Sequence, residues 1–236
     1  MSSMDDRRTG WPVLLTVMLC VLVIIAALAL AWWQRSSGAD SGSRRDSSGS
    51  PSATAPRCGP STCDVIDTVH AGDATVELLR STEGKVGKLR VRRGDDEQLV
   101  DVAITRRGVP LQRGGLRCVA GATSACLVTG PHSNGVVGEV FVSHGGNWSS
   151  VGDPYFSNAG EITLDTVVRE SPDVVVVEHD CGPDTELEAC QEVPVRAKVY
   201  GLDGTVHGCT QSYPWPARIP GWPEIDLEGA DLLPCG

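Results

Sequence analysis

Eight cysteines stand beyond residue 57, namely Cys58, Cys63, Cys118, Cys126, Cys181, Cys190, Cys209 and Cys235. No other feature restricts the fold as tightly. An even set of thiols reads as a disulfide framework, and disulfides persist in oxidising compartments. If neighbours pair, Cys58 joins Cys63, Cys118 joins Cys126, Cys181 joins Cys190 and Cys209 joins Cys235; other connectivities are open to the same set. The shorter of these loops would each contribute about 2 to 3 kcal/mol through the entropy of the unfolded chain.

The ninth cysteine, Cys20, lies in a different setting. Residues 13–31, "VLLTVMLCVLVIIAALALA", carry no charge and are framed by Trp11, Trp32 and Trp33, rings that favour a membrane interface. About 20 helical residues cross the ~30 Å hydrocarbon core, so a transmembrane helix is expected over 11–33, with the bilayer as its partner. The alternative is a cleaved export signal, since "ALA" at 29–31 has the small-x-small form that a signal peptidase accepts, and the domain would then be secreted. Leu19 stands where a lipoprotein signal carries a small residue, so Cys20 reads as an ordinary buried thiol. Flanking charge does not orient the segment, because Arg7 and Arg8 sit beside Asp5 and Asp6 while Arg35 follows it. The cysteines do: residues 1–10 are expected in the cytoplasm and the C-terminal bulk outside the membrane.

Residues 34–57, "QRSSGADSGSRRDSSGSPSATAPR", show no apolar periodicity, and nothing there offsets the entropy of ordering the chain. A disordered tether is expected. Its 24 residues have an end-to-end distance on the order of 27 Å, enough to lift a domain off the bilayer. Arg44 and Arg45 within it read as solvated linker charges rather than headgroup contacts.

From 58 to 236 the pattern is short β-branched runs punctuated by Gly, Asp-Gly and Pro, the signature of strands and turns. Strands are expected at 74–80, 87–93, 99–106, 135–144, 161–168, 173–180 and 193–201, with "LRCVA" and "ACLVT" between them. The first three alternate apolar and polar residues, so one face of each is buried and the other wet. The valine run at 174–177 is apolar on both faces and belongs mid-sheet or between sheets. "PDTELEA" (183–189) is the single helix candidate. An echo joins "EVFVSHGGNW" (139–148) to "KVYGLDGTV" (198–206): a Val-aromatic pair, a glycine turn, then a return strand. The fold class is all-β, as an antiparallel β-sandwich or barrel or a small propeller-like meander.

Charge is unevenly placed. Residues 58–117 carry ten Lys or Arg against nine Asp or Glu, while 118–236 carry four against seventeen, for net values of +1 and −13. Nucleic acid is thereby excluded as a partner. An acidic, solvated surface that maintains solubility is expected; loose binding of divalent cations finds no DxDxDG loop to support it. Lys is sparse against plentiful Arg, as in GC-rich genomes. The layout of anchor, Ser/Gly tether and Cys-containing β domain ending in "LPCG" resembles that of membrane-anchored or secreted actinobacterial proteins, and the resemblance carries no functional residues across.

Three stretches invite a functional reading. Glu178, His179, Asp180 and Cys181 stand side by side at the end of the valine run. Side chains alternate across a strand, so the four cannot converge on one ion, and a Cys181 bound to Cys190 offers no thiolate. No metal site and no cofactor are expected. In "TVHGCTQ" (205–211), His207-Gly208-Cys209 resembles the His-Gly-Cys core of the L,D-transpeptidases, wall enzymes with a cysteine nucleophile. That family has Ser or Thr before the His and Arg two residues after the Cys, where Val206 and Gln211 stand here. The resemblance implies a cell-wall-modifying cysteine enzyme using Cys209 and His207, and this is the alternative function. In "YPWPARIPGWPEIDL" (213–227), Tyr213, Trp215 and Trp222 are held among prolines; they either stack on a ligand or wrap an open sheet, with Cys235 pinning the end.

His70, His132 and His144 read as surface residues near turns, and "NWS" at 147–149 fits the glycosylation pattern. No GxSxG, SxxK, HExxH or P-loop occurs, so no catalytic residue is assigned. The expected role is a binding or structural module of the cell envelope, with an envelope protein, glycan or peptide as partner.

Overall fold

The computed structural model describes residues 57–58, 61–168, 171–181 and 187–235. The expected membrane segment at 11–33 and the tether up to residue 56 lie outside them. Among the described residues no helix is long and apolar enough to cross a membrane. What is described is mostly antiparallel β, as expected.

Three sheets follow one another along the chain, each a meander in which sequential strands pair. The first holds β1 (Arg57–Cys58), β2 (Ser61–Ala71), β3 (Ala74–Ser81), β4 (Gly87–Arg93) and β5 (Asp96–Val102). The second holds β6 (Leu116–Val119), β7 (Ala125–His132), β8 (Gly135–His144) and β9 (Asn147–Ser157). The third holds β10 (Ile162–Asp165), β11 (Asp173–His179), β12 (Val195–Tyr200) and β13 (Val206–Cys209). Leaving aside the two-residue β1, the opening strands β2, β6 and β10 adjoin across the sheets. The sequence echo proves to join equivalent elements, the β8–β9 and β12–β13 hairpins, each the third and fourth strands of its sheet.

Alternation of side chains across each strand lets the sheets stack. Val76, Leu78, Leu89 and Val91 of the first sheet meet Cys126, Val128, Phe141 and Trp148 of the second. The second sheet's other face, with Leu127 and Val140, meets Ile162, Leu164, Val174 and Val176 of the third. Val175 and Val177 point the opposite way, where Val195, Ala197 and Val199 are covered by Ile219, Ile225 and Leu227 from the C-terminal strap. The valine run therefore feeds two cores at once, which is why it shows no alternation.

The stack is closed differently at its two ends. On the outer face of the first sheet, Glu77 bonds Arg90 at 2.6 Å and Arg92 at 2.9 Å, and Lys88 bonds Asp101 at 2.6 Å, while Leu79 is covered by the Cys58–Cys63 disulfide. The far face of the third sheet is apolar and needs the strap. All four neighbour disulfides form: Cys58–Cys63, Cys118–Cys126, Cys181–Cys190 and Cys209–Cys235. The last pins the strap to β13.

Connections between sheets are latched by side-chain acceptors. Glu139 on β8 is 2% exposed and accepts the N–H groups of Ala103 at 2.6 Å and Ile104 at 3.1 Å, plus the Ser150 hydroxyl at 2.8 Å. Asp67 on β2 accepts from Gly114 and Leu116, Ser157 from Gly160 and Glu161, and Asp165 from Leu227 of the strap. Glu139 and Ser157 are buried and Asp67 and Asp165 half-buried, at little cost because the backbone hydrogen-bonds them. Part of the acidic excess is therefore internal scaffolding rather than solvated surface.

Several boundaries differ from expectation. The strand expected at 99–106 ends at Val102, and Ala103–Arg107 form a 3-10 helix, because Glu139 takes the N–H groups a strand would have used. β10 stops at Asp165 rather than 168. Arg57, the last residue of the expected tether, pairs with Thr62 in β1. Strand β2 was hidden by its polar residues: Asp64, Asp67 and His70 dilute its pattern, and a register shift between Val65 and Asp67 breaks the alternation. Of the expected helix, Leu187–Cys190 form one turn, α1, and 183–186 lie outside the described residues.

Candidate functional site

One end of the stack gathers the β2–β3, β4–β5, β6–β7 and β8–β9 turns. Asp73 in the β2–β3 turn pairs with Arg93 beside the β4–β5 turn at 3.0 Å. Arg93 also approaches Gly146 of the β8–β9 turn, and Gly72 faces Ala120 of the β6–β7 loop. Between the first and second sheets this end holds a cleft of about 540 Å³ lined by Arg93, Glu97, Gln98 and Asn147. The Gln98 amide closes its floor, bonding both the N–H and the carbonyl of Trp148 at 2.8 and 2.7 Å.

A second cleft of about 540 Å³ opens between the second and third sheets. Asp173 begins β11 at its base, 1% exposed, with one oxygen accepting the Val167 and Val168 N–H groups at 3.0 and 2.8 Å. Its other oxygen lies 3.5 Å from His207 Nε2. Asp203, in the β12–β13 turn, approaches the same imidazole. A Cβ added to Gly201 would sit 2.8 Å from His207 Nε2 and 2.9 Å from Asp203 Oδ1, so glycine is what lets these groups converge. Hydrogen bonds from Thr205 hold the Asp203 carboxyl below the usual carboxylate range, with His207 adding to the effect. His144, exposed at the end of β8, and the hydroxyls of Thr123 and Thr205 complete the rim, above Val142, Val151 and Leu202.

Gly152 is shared with an adjoining hollow of about 330 Å³ beside Pro154, Tyr155 and Tyr200. The two tyrosine rings meet edge to face at 5.1 Å, and Lys198 Nζ lies 5.3 Å from the Tyr200 centroid. Burial pushes the Tyr155 hydroxyl up, aided by Tyr200 and Asp203. The whole groove offers carboxylate acceptors, imidazoles that donate or accept, hydroxyls, and apolar patches between them.

The residues singled out from sequence fall elsewhere. Tyr213 and Trp222 pack against the third core, and Tyr213 also pairs with Val195 through the backbone. Trp215 is 54% exposed with the Arg218 guanidinium 5.6 Å from its ring. The three rings are thus divided between strap packing and solvent. Cys209 is bonded to Cys235 and 1% exposed, while His207 faces Asp173. In the 178–181 stretch, His179 Nδ1 bonds the Val193 carbonyl at 2.7 Å, Asp180 pairs with Arg196 and Cys181 is bound to Cys190. Among the described residues, no group of three or more His, Cys, Asp or Glu is placed to hold a metal ion.

Sequence reasoning missed Tyr155, Asp173, Tyr200 and Asp203. The one available signal was the hairpin echo, since it contains both His144 and the Tyr200–Asp203 turn. Comparison with family models, with curated proteins and with solved structures gives no match.

Proposed function

We propose that this chain is a single-pass envelope protein, cytoplasmic at its N-terminus, that presents a disulfide-stapled β module outside the membrane as a binding or structural element. The observation that carries the reading is the pairing of all eight cysteines beyond the tether into four disulfides, which favours an oxidising compartment. The same pairing commits the Cys209 sulfur to a cross-link, and a cysteine nucleophile needs a free thiolate; binding is therefore favoured over transpeptidase chemistry at Cys209 and His207. As to architecture, we read the three meanders as blades of an open, propeller-like stack, a reading supported by the adjoining opening strands and by turn-built clefts between successive sheets.

The test has two parts. Protease added to intact cells should remove a C-terminal epitope while an N-terminal epitope stays with the membrane fraction; a protected C-terminus would sink the topology. Cross-linking of the full chain in its envelope should then capture a glycan or protein component, and a chain recovered free of both would sink the binding role.

A further inference from the structure

We propose that the two-compartment groove between the second and third sheets binds a saccharide. The inference rests on the binding-module reading and names its ligand class. The compartments, about 540 and 330 Å³ and both lined by Gly152, fall together within the range of small-ligand sites, and two neighbouring compartments suit more than one ring.

The walls select the chemistry. A pyranose presents apolar C–H faces edged by hydroxyls that each donate and accept. The larger compartment matches both features, with Val142, Val151 and Leu202 against a rim of His144, Asp203, Thr205 and His207. A wholly apolar ligand would take the rim's exposed Asp203 carboxylate and His144 imidazole out of water and return no hydrogen bond to them. An anionic ligand would meet Asp173 and Asp203 in a compartment that, among the described residues, is lined by no Lys or Arg.

The smaller compartment adds an aromatic shelf. Two of the chain's three tyrosines stand there edge to face, and tyrosine offers a rigid ring for C–H stacking together with a hydroxyl for hydrogen bonding. The site is also built in advance. Gly201 N–H bonds the Thr205 carbonyl at 2.8 Å, Thr205 N–H bonds Asp203 at 2.9 Å, and buried Asp173 holds the N–H groups of Val167 and Val168, so these groups need little ordering on binding.

The test uses the full chain in nanodiscs free of sugar-headed detergent, titrated calorimetrically with two probes, the β-1,4-linked tetramers of N-acetylglucosamine and of glucose. At least one should bind. Tyr200→Ala should weaken it about tenfold, the scale of one aromatic contact, and Asp203→Asn, an exposed change that leaves the fold intact, should weaken it by a similar factor. Trp215→Ala, on the strap over the opposite face of the third sheet, should leave affinity within about twofold. Absence of binding by both tetramers, or binding unchanged in Asp203→Asn, overturns the proposal. Should an Arg/Lys-rich peptide bind the groove while neither tetramer does, the saccharide is wrong and the binding-module reading survives; that reading fails separately, through the envelope cross-linking above.

Discussion

The Cys209–Cys235 disulfide should be the most stabilising of the four, and its removal gives the sharpest test of how the strap is held. The residues it joins are 26 apart, against 5, 8 and 9 for the others. In the chain-entropy description a closed loop of that length restricts the unfolded state by about 12 cal/mol/K, or about 3.5 kcal/mol at 25 °C; the three shorter loops give about 2.1, 2.5 and 2.6 kcal/mol. In a domain of this size that loss lowers Tm by about 7 to 14 °C. The strap has other anchors, since burial of Ile219, Ile225 and Leu227 contributes about 1.5 to 3 kcal/mol each and Asp165 accepts the Leu227 N–H at 2.8 Å. Cys209→Ala with Cys235→Ala should therefore leave a folded domain whose strap opens more often, uncovering Val175, Val177 and Val199. Urea titration followed by circular dichroism measures the global loss, and fluorescence of Trp215 and Trp222 follows the strap. A loss below about 1 kcal/mol, or one smaller than that from replacing Cys58 and Cys63, would refute the ordering by loop length.

Three further outcomes follow from the latches and the close contacts. Glu139→Ala strips the acceptor from two backbone N–H groups and should cost about 2 to 4 kcal/mol in chemical denaturation, whereas Glu139→Gln retains an acceptor oxygen and should cost about 1 kcal/mol; equal losses would show that the hydrogen bonds are not what matters. Gly130→Ala drives a methyl to 2.5 Å from Val109 Cγ1 and 2.6 Å from the Pro110 carbonyl, so the linker must shift, at about 1 to 3 kcal/mol in the same assay. Burial raises the carboxyl of Glu161, opposed by Arg117 at 3.5 Å. A group held more tightly protonated in the folded state stabilises it below the unfolded value, and that contribution is lost as pH rises through the folded value. Glu161→Gln should consequently gain on the wild type between about pH 4 and neutrality; a difference in melting temperature that stays flat with pH would contradict this.

The sheets were legible in the sequence where one or both faces feed a core. "GKLRVRR" and "GVVGEVFVSH" became strands at the expected limits, and the valine run lies mid-sheet because both its faces are buried. What escaped was structure held by long-range polar contacts. The helical turn at Ala103 depends on Glu139, 36 residues away, and the bulge at Asp67 serves Gly114, 47 residues away; neither partner shows in a local window. The groove escaped for the same reason, since His144, Asp173 and Asp203 come from two sheets and no spacing rule links them. Neighbouring cysteines, by contrast, paired as short loops favour.

Sulfur chemistry separates an extracytoplasmic binding module from a cysteine enzyme, and peptide mapping reads it directly. Native protein, alkylated before digestion and never reduced, should yield four linked peptide pairs, Cys58 with Cys63, Cys118 with Cys126, Cys181 with Cys190 and Cys209 with Cys235, with no alkylated cysteine beyond residue 57. Alkylation at Cys209 would return that residue to contention as a nucleophile, and alkylation at all eight positions would remove the argument that the domain lies outside the membrane.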